Sequence, residues 1–164
     1  MSTSFEYSTV IFRTTPAAVY DALIDRDAID FYMGGTGPKM ADGGNWKVGD
    51  KILWASEPDK FNDWSQVVTI AERGKKLSYT WHTLSDVYPE RYNESNDHER
   101  TEVTWIVNGI EGFEEHGGAV HLRLVHSGFN SVQSEMYHGV SEGWVYIVSA
   151  LKSYLEKPID ERPR

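Results

Sequence analysis

The stretch SVQSEMYHGVSEGWVYIVSALKSYL, residues 131–155, decides the fold. Val132, Met136, Val140, Trp144, Ile147, Leu151 and Leu155 recur at spacings of three and four, which gives an α-helix with one apolar face. A helix running from Ser131 to Leu155 would be roughly 37 Å long at about 1.5 Å per residue. Asn130 is the expected N-cap, with Gln133 three residues on as in a capping box, and Pro158 marks where the helix cannot continue. One apolar face of that length needs a broad apolar surface to lie on.

The rest of the chain supplies that surface as strands. Upstream of the helix, Val120, Leu122, Leu124 and His126 alternate with His121, Arg123 and Val125, and further back Val103, Trp105 and Val107 share a face. Leu77, Tyr79 and Trp81 alternate with Lys76, Ser78 and Thr80; Trp64, Gln66, Val68 and Ile70 form another face, and Val48, Ile52 and Trp54 a further one. Such alternation indicates a sheet with one covered and one solvated side. Phe5 to Arg13, rich in aromatic and β-branched residues, reads as the first strand. Between it and the second strand, Pro16 opens a short helix, and Asp25 caps another that ends at Gly34 and Gly35. The polar connection from Thr83 to Arg100 is longer than a hairpin needs and reads as a mobile or functional segment. The expected fold is α+β: a curved antiparallel sheet of six or more strands wrapping a long C-terminal helix, with two short helices after strand one. No internal repeat or linker breaks residues 1–164, so they read as a single domain with its core at about 5–156.

The formal charge of −9 disfavours nucleic acid and anionic membranes as partners, and no basic cluster overrides it. The absence of Cys excludes thiol chemistry and suits the cytoplasm, which is the expected location; no apolar run reaches the length of a membrane span, and residues 1–12 lack the pattern of a signal peptide. The His residues show no metal-ligand spacing, and strand parity sends His121 and His126 to opposite faces, so neither a metal nor another cofactor is expected.

The candidate binding residues are those that parity turns inward. Trp54, Tyr79, Trp81 and Trp105, with Leu122, Leu124 and Met136, serve either simple core packing or the flat apolar walls of a cavity with a few hydrogen-bond donors. His126 is a polar group on the same face, suited either to orienting a ligand or to bonding within the core edge. Gly139 and Gly143 lie four apart inside the long helix, where each costs about 1 kcal/mol relative to Ala. They serve either close packing or room for a ligand beneath the helix. Tyr146 stands beside them, and Glu142 lies four residues before Tyr146 on one edge of the helix, where the pair is either solvated surface or an acid and a phenol meeting at a cavity mouth. No nucleophile with its base is recognisable.

The order and spacing of Thr15-Pro16, Val19-Tyr20, Ala22-Leu23, Val48-Gly49-Asp50, Leu77-Ser78-Tyr79-Thr80-Trp81, His126-Ser127-Gly128-Phe129, Gly143-Trp144 and Leu151-Lys152-Ser153-Tyr154-Leu155 resembles the START-like, birch-pollen-allergen superfamily. Within it, the chain resembles the group named after the activator of the heat-shock-protein-90 ATPase. The resemblance spans nearly the whole chain and implies a helix-grip fold closing a cavity. Three functions are then open: binding of a small apolar or aromatic molecule, a co-chaperone-like action on a chaperone ATPase, and cyclase- or hydrolase-type acid–base catalysis within the cavity. Ligand identity and oligomeric state are not fixed by these patterns.

Overall fold

The computed structural model describes residues 3–82 and 100–164. The connection expected to be mobile or functional, and the acidic stretch starting at Glu90, fall largely outside the described residues. In chain order the elements are β1 (Thr3–Phe12), α1 (Pro16–Ile24), α2 (Arg26–Tyr32), β2 (Lys39–Met40), β3 (Lys51–Glu57), β4 (Lys60–Glu72), β5 (Lys76–His82), β6 (Arg100–Gly109), β7 (Ala119–Phe129) and α3 (Glu135–Glu156). The strands form one antiparallel sheet in the order β1-β7-β6-β5-β4-β3-β2. Among the described residues there are seven strands, the seventh being the short β2 pairing with β3 ahead of the strand expected second.

Local chemistry explains most boundaries. Thr15 caps α1 by accepting from the Ala18 N–H, with Pro16 in the first turn, and Asp25 caps α2 through the Ala28 N–H. Val48, expected in a strand, is instead 65 % exposed. It sits in a turn closed by Asp50, whose carboxylate accepts from the backbone of Asn45 at 2.7 Å and Lys47 at 3.0 Å, while Gly49 takes a φ of +90°. The strand therefore starts only at Lys51.

The long helix begins later than its sequence pattern suggests. β7 runs to Phe129, and residues 131–134 form a turn in which Ser131 Oγ accepts from the Gln133 N–H at 3.1 Å. Ser134, not Asn130, is the N-cap, accepting from the Tyr137 N–H at 3.0 Å, and Val132 is left exposed outside the helix. The chain needs this extra turn to reverse from strand to helix, and the edge contact of Phe129 with Tyr137, ring centroids 5.2 Å apart, holds the corner.

From Ser134 onward α3 lies on the inner face of the sheet. Trp144, Val148, Leu151 and Leu155 are buried against Ile11, Leu77, Trp105, Leu122 and Leu124. Lys152, on one flank of α3, donates to the Val10 carbonyl of edge strand β1 at 2.6 Å; Tyr154, on the opposite flank, packs on Phe31 of α2 at 5.5 Å. The helix is thus pinned to β1 on one side and to α2 on the other, and its opening turns sit over the middle of the sheet.

Candidate functional site

His126 is completely buried on β7, and both of its ring nitrogens are used. The indole N–H of Trp144 donates to Nδ1 at 3.0 Å, so Nδ1 is the acceptor and Nε2 carries the proton. Nε2 lies 2.8 Å from the Thr101 hydroxyl, which passes its own hydrogen to the Trp81 carbonyl. A helix indole, a strand imidazole, a strand hydroxyl and a strand carbonyl thereby form one saturated chain. Burial alone pushes the His126 pKa down from 6.5 to about 3, so the ring is neutral at physiological pH.

Around this chain the inner face is aromatic. The Trp81 ring contacts Trp54 at 4.4 Å, Trp144 at 5.4 Å and His126 at 5.5 Å, while Trp105 meets Trp144 edge-on at 5.6 Å. Tyr79 stacks loosely on Trp54 and on Trp46, which reaches in from the loop before β3. Trp105 Nε1 donates to the Tyr79 hydroxyl at 3.0 Å, but among the described residues no acceptor takes the Tyr79 hydrogen. Burial raises the Tyr79 pKa well above its ordinary value, so the group stays a neutral donor.

The polar exception lies one strand over. Gln66 on β4 is 1 % exposed, and its Oε1 is a sealed side-chain atom with no hydrogen-bond partner among the described residues. Its amide orientation is fixed, because Nε2 donates to the Trp64 carbonyl at 3.1 Å and the flipped amide would set two oxygens against each other. A bulge places it there: Ile52 pairs with Gln66 but the next residue, Leu53, pairs with Asp63, leaving Trp64 and Ser65 as extra residues. Ser65 takes a φ of +59°, and its N–H is bound by the Asp63 carboxylate at 2.9 Å. Val67 just beyond the bulge keeps its pairing with Lys51 of β3, while its N–H donates to the Thr80 hydroxyl of β5 at 3.0 Å. Unpaired buried polar atoms are uncommon, which sets Gln66 apart from the rest of the core. The indole N–H groups of Trp46, Trp54 and Trp81 also find no acceptor among the described residues, but none of these nitrogens is fully sealed from solvent.

The residues expected from the sequence fall into three groups. Trp54, Tyr79, Trp81, Trp105, Leu122, Leu124, His126 and Met136 face the interior or its rim. Gly143 is half-buried and Gly139 exposed, and a Cβ at either would meet nothing within 4 Å, so neither is there for close packing. At about 100° per residue, Gly143 lies on the same flank of α3 as Tyr154, turned away from β1 and toward the side of α2. Tyr146 is 78 % exposed and Glu142 is exposed, so they point to solvent and line no cavity. Sequence reasoning missed Gln66, Thr101 and Trp46 as site residues. Gln66 alone carried a signal, as an amide sharing a face with Trp64 and Val68. Among the described residues there is no group of three or more side chains able to hold a metal, and no helix long and apolar enough to cross a membrane.

A curved antiparallel sheet gripping a long C-terminal helix over an aromatic interior defines the START-like, birch-pollen-allergen class of fold. The chain belongs to the family of Activator of Hsp90 ATPase homolog 1-like proteins, whose model matches residues 13–156. The fold is similar to that of a Mesorhizobium loti protein at 22 % identity and a TM-score of 0.65, covering 93 % of this chain and 95 % of that one. It is also similar to the Aha1 dimer of Colwellia psychrerythraea, at 17 % identity and a TM-score of 0.64, covering 94 % and 96 %. A major latex-like protein of Panax ginseng shares the fold at only 8 % identity, with a TM-score of 0.64 and coverage of 95 % and 99 %. No curated protein matches the sequence.

Proposed function

We propose that this protein is a binding module for a small, flat, largely apolar molecule, held on the inner sheet face between Trp54, Trp81 and the flank of α3 that carries Gly143. The observation that carries this reading is the buried Gln66 Oε1 left without a partner amid an aromatic surface. In a core built only for stability, an unpaired buried acceptor costs about 1–3 kcal/mol that a Leu or Met would not. A ligand that hydrogen-bonds to it removes that penalty. The open space at the Cβ position of half-buried Gly143 supports the same location.

The His126 geometry weighs against acid–base catalysis in this interior. Its lone pair on Nδ1 is taken by Trp144 and its proton by Thr101, so it has neither a free base nor a free acid to offer. Glu142 is out of reach of the interior for the reason given above.

Titration with the neutral polarity-sensitive dye N-phenylnaphthylamine is the direct test. A saturable, blue-shifted signal is expected in the wild type, with most of it lost in Gly143→Leu, whose side chain would fill the open flank while favouring the helix. No saturable signal, together with no small molecule retained in native mass spectrometry, would remove the proposal. Full binding by Gly143→Leu would move the site elsewhere.

A further inference from the structure

We infer that Gln66 is a specificity-determining residue that selects neutral ligands carrying a hydrogen-bond donor, an inference that rests on the binding function proposed above. The interior contains no charged side chain among the described residues. Its buried polar members are Thr14, Gln66, Ser78, Thr101, His126 and Ser134, and His126 is locked as the neutral tautomer. An ionised ligand would leave water and find no countercharge, which costs several kcal/mol even after relaxation. Neutral ligands escape that penalty.

Among neutral ligands the wall is selective because its groups are unequal. The available donors are several: the Tyr79 hydroxyl and the indoles of Trp46, Trp54 and Trp81. A ligand acceptor can be served by any of them, so losing one contact matters little. The one buried acceptor without a partner among the described residues is Gln66 Oε1, held in place by the Nε2 bond to the Trp64 carbonyl and by the bulge at Ser65. Other polar side chains of the interior are committed: Thr101 to His126 and Trp81, and Ser78 to Thr104 at 2.7 Å. A ligand that brings a donor satisfies Gln66, and an analogue without one leaves the oxygen buried and unpaired. A site built to hydrogen-bond a ligand group discriminates strongly against the analogue lacking it.

The experiment is isothermal titration calorimetry with three probes of nearly equal size: β-naphthol, its methyl ether, and the β-naphthoate anion. In the wild type β-naphthol should bind about tenfold tighter than the ether, the equivalent of about 1.4 kcal/mol, and naphthoate should bind weakest. In Gln66→Met, which keeps the volume and removes the acceptor, the two neutral probes should agree within about twofold while the ether keeps its wild-type affinity. Gln66→Leu serves the same purpose should the Met variant not fold. Equal affinity of the two neutral probes in the wild type, naphthoate as the tightest ligand, or a naphthol preference that survives in the variant would each overturn the inference while leaving the binding function standing. If none of the three probes binds, both fall together.

Discussion

Lowering the pH from 7 to 5 should destabilise this protein by about 2 kcal/mol through a single residue, His126. The ring titrates near 6.5 when unfolded and near 3 in the folded chain, where burial excludes the charged form. Because the folded value is the lower one, the unfolded chain binds the proton first. Stability is therefore complete above about pH 6.5 and declines as the pH falls toward 3, by up to about 1.4 kcal/mol per pH unit. For 164 residues at about 2.1 cal/mol/K each, 2 kcal/mol corresponds to a fall of about 6 °C in Tm. The carboxylates whose values the structure depresses, Glu6 and Asp21 through Arg123 and Arg73, and Asp50 and Asp63 through backbone N–H groups, lose their contributions only below their ordinary range near pH 4. Those carboxylates lie outside the interval between pH 5 and 7, and the comparison with His126→Gln isolates the histidine within it. Urea unfolding followed by circular dichroism at both pH values should show the wild type losing about 2 kcal/mol more than His126→Gln, which does not titrate. Equal losses in the two proteins would refute the assignment of His126 as a buried neutral ring.

Glycine substitutions should divide sharply. Gly139→Ala and Gly143→Ala should each stabilise the protein by about 1 kcal/mol, because a Cβ meets nothing there and Ala favours the helix. Gly118→Ala should instead destabilise by about 2 kcal/mol or more, since φ is +88° and its Cβ would stand 2.4 Å from the Thr14 carbonyl oxygen; thermal denaturation of the three variants reads both signs. Thr101→Val, nearly isosteric, should cost about 1–3 kcal/mol by leaving the His126 N–H buried without an acceptor, and chemical denaturation that finds it neutral would remove the saturated chain as a stabilising element.

The architecture was legible because its signals are local. Period-two alternation placed Leu122, Leu124 and His126 on the covered face, where the structure has them, and Thr15-Pro16 and Asp25 marked both short helices. The start of the long helix was misread because Asn130 with Gln133 and Ser134 with its own first turn are both competent caps. The choice falls to the strand-to-helix corner and the contact of Phe129 with Tyr137, which alternation and spacing do not report. The site was legible only as a set of inward aromatics. That His126 is spent depends on Thr101 and Trp144, brought to it from 25 and 18 positions away. That Gln66 is unspent depends on a bulge at Ser65, where a left-handed residue breaks the parity that sequence reading relies on. Trp46 lies in a glycine-rich loop with no period at all, and its own φ of +54° turns the ring inward against Tyr79.

The two halves of the interior are linked through one helix residue. Trp144 is tied by its indole N–H to His126 and packed on Trp105 and Trp81, so the register of α3 over the sheet is fixed at that point. Gly143 is its immediate neighbour, on the flank that carries Tyr154, so its position relative to the Trp81 ring is fixed as well. A helix glycine that packs against nothing is a continuing cost of about 1 kcal/mol, and so is an unpaired amide oxygen of similar or larger size. The saturated chain from Trp144 through His126 and Thr101 to the Trp81 carbonyl crosses α3, β7, β6 and β5, so it ties the helix to three strands at once and supplies rigidity beside both costs.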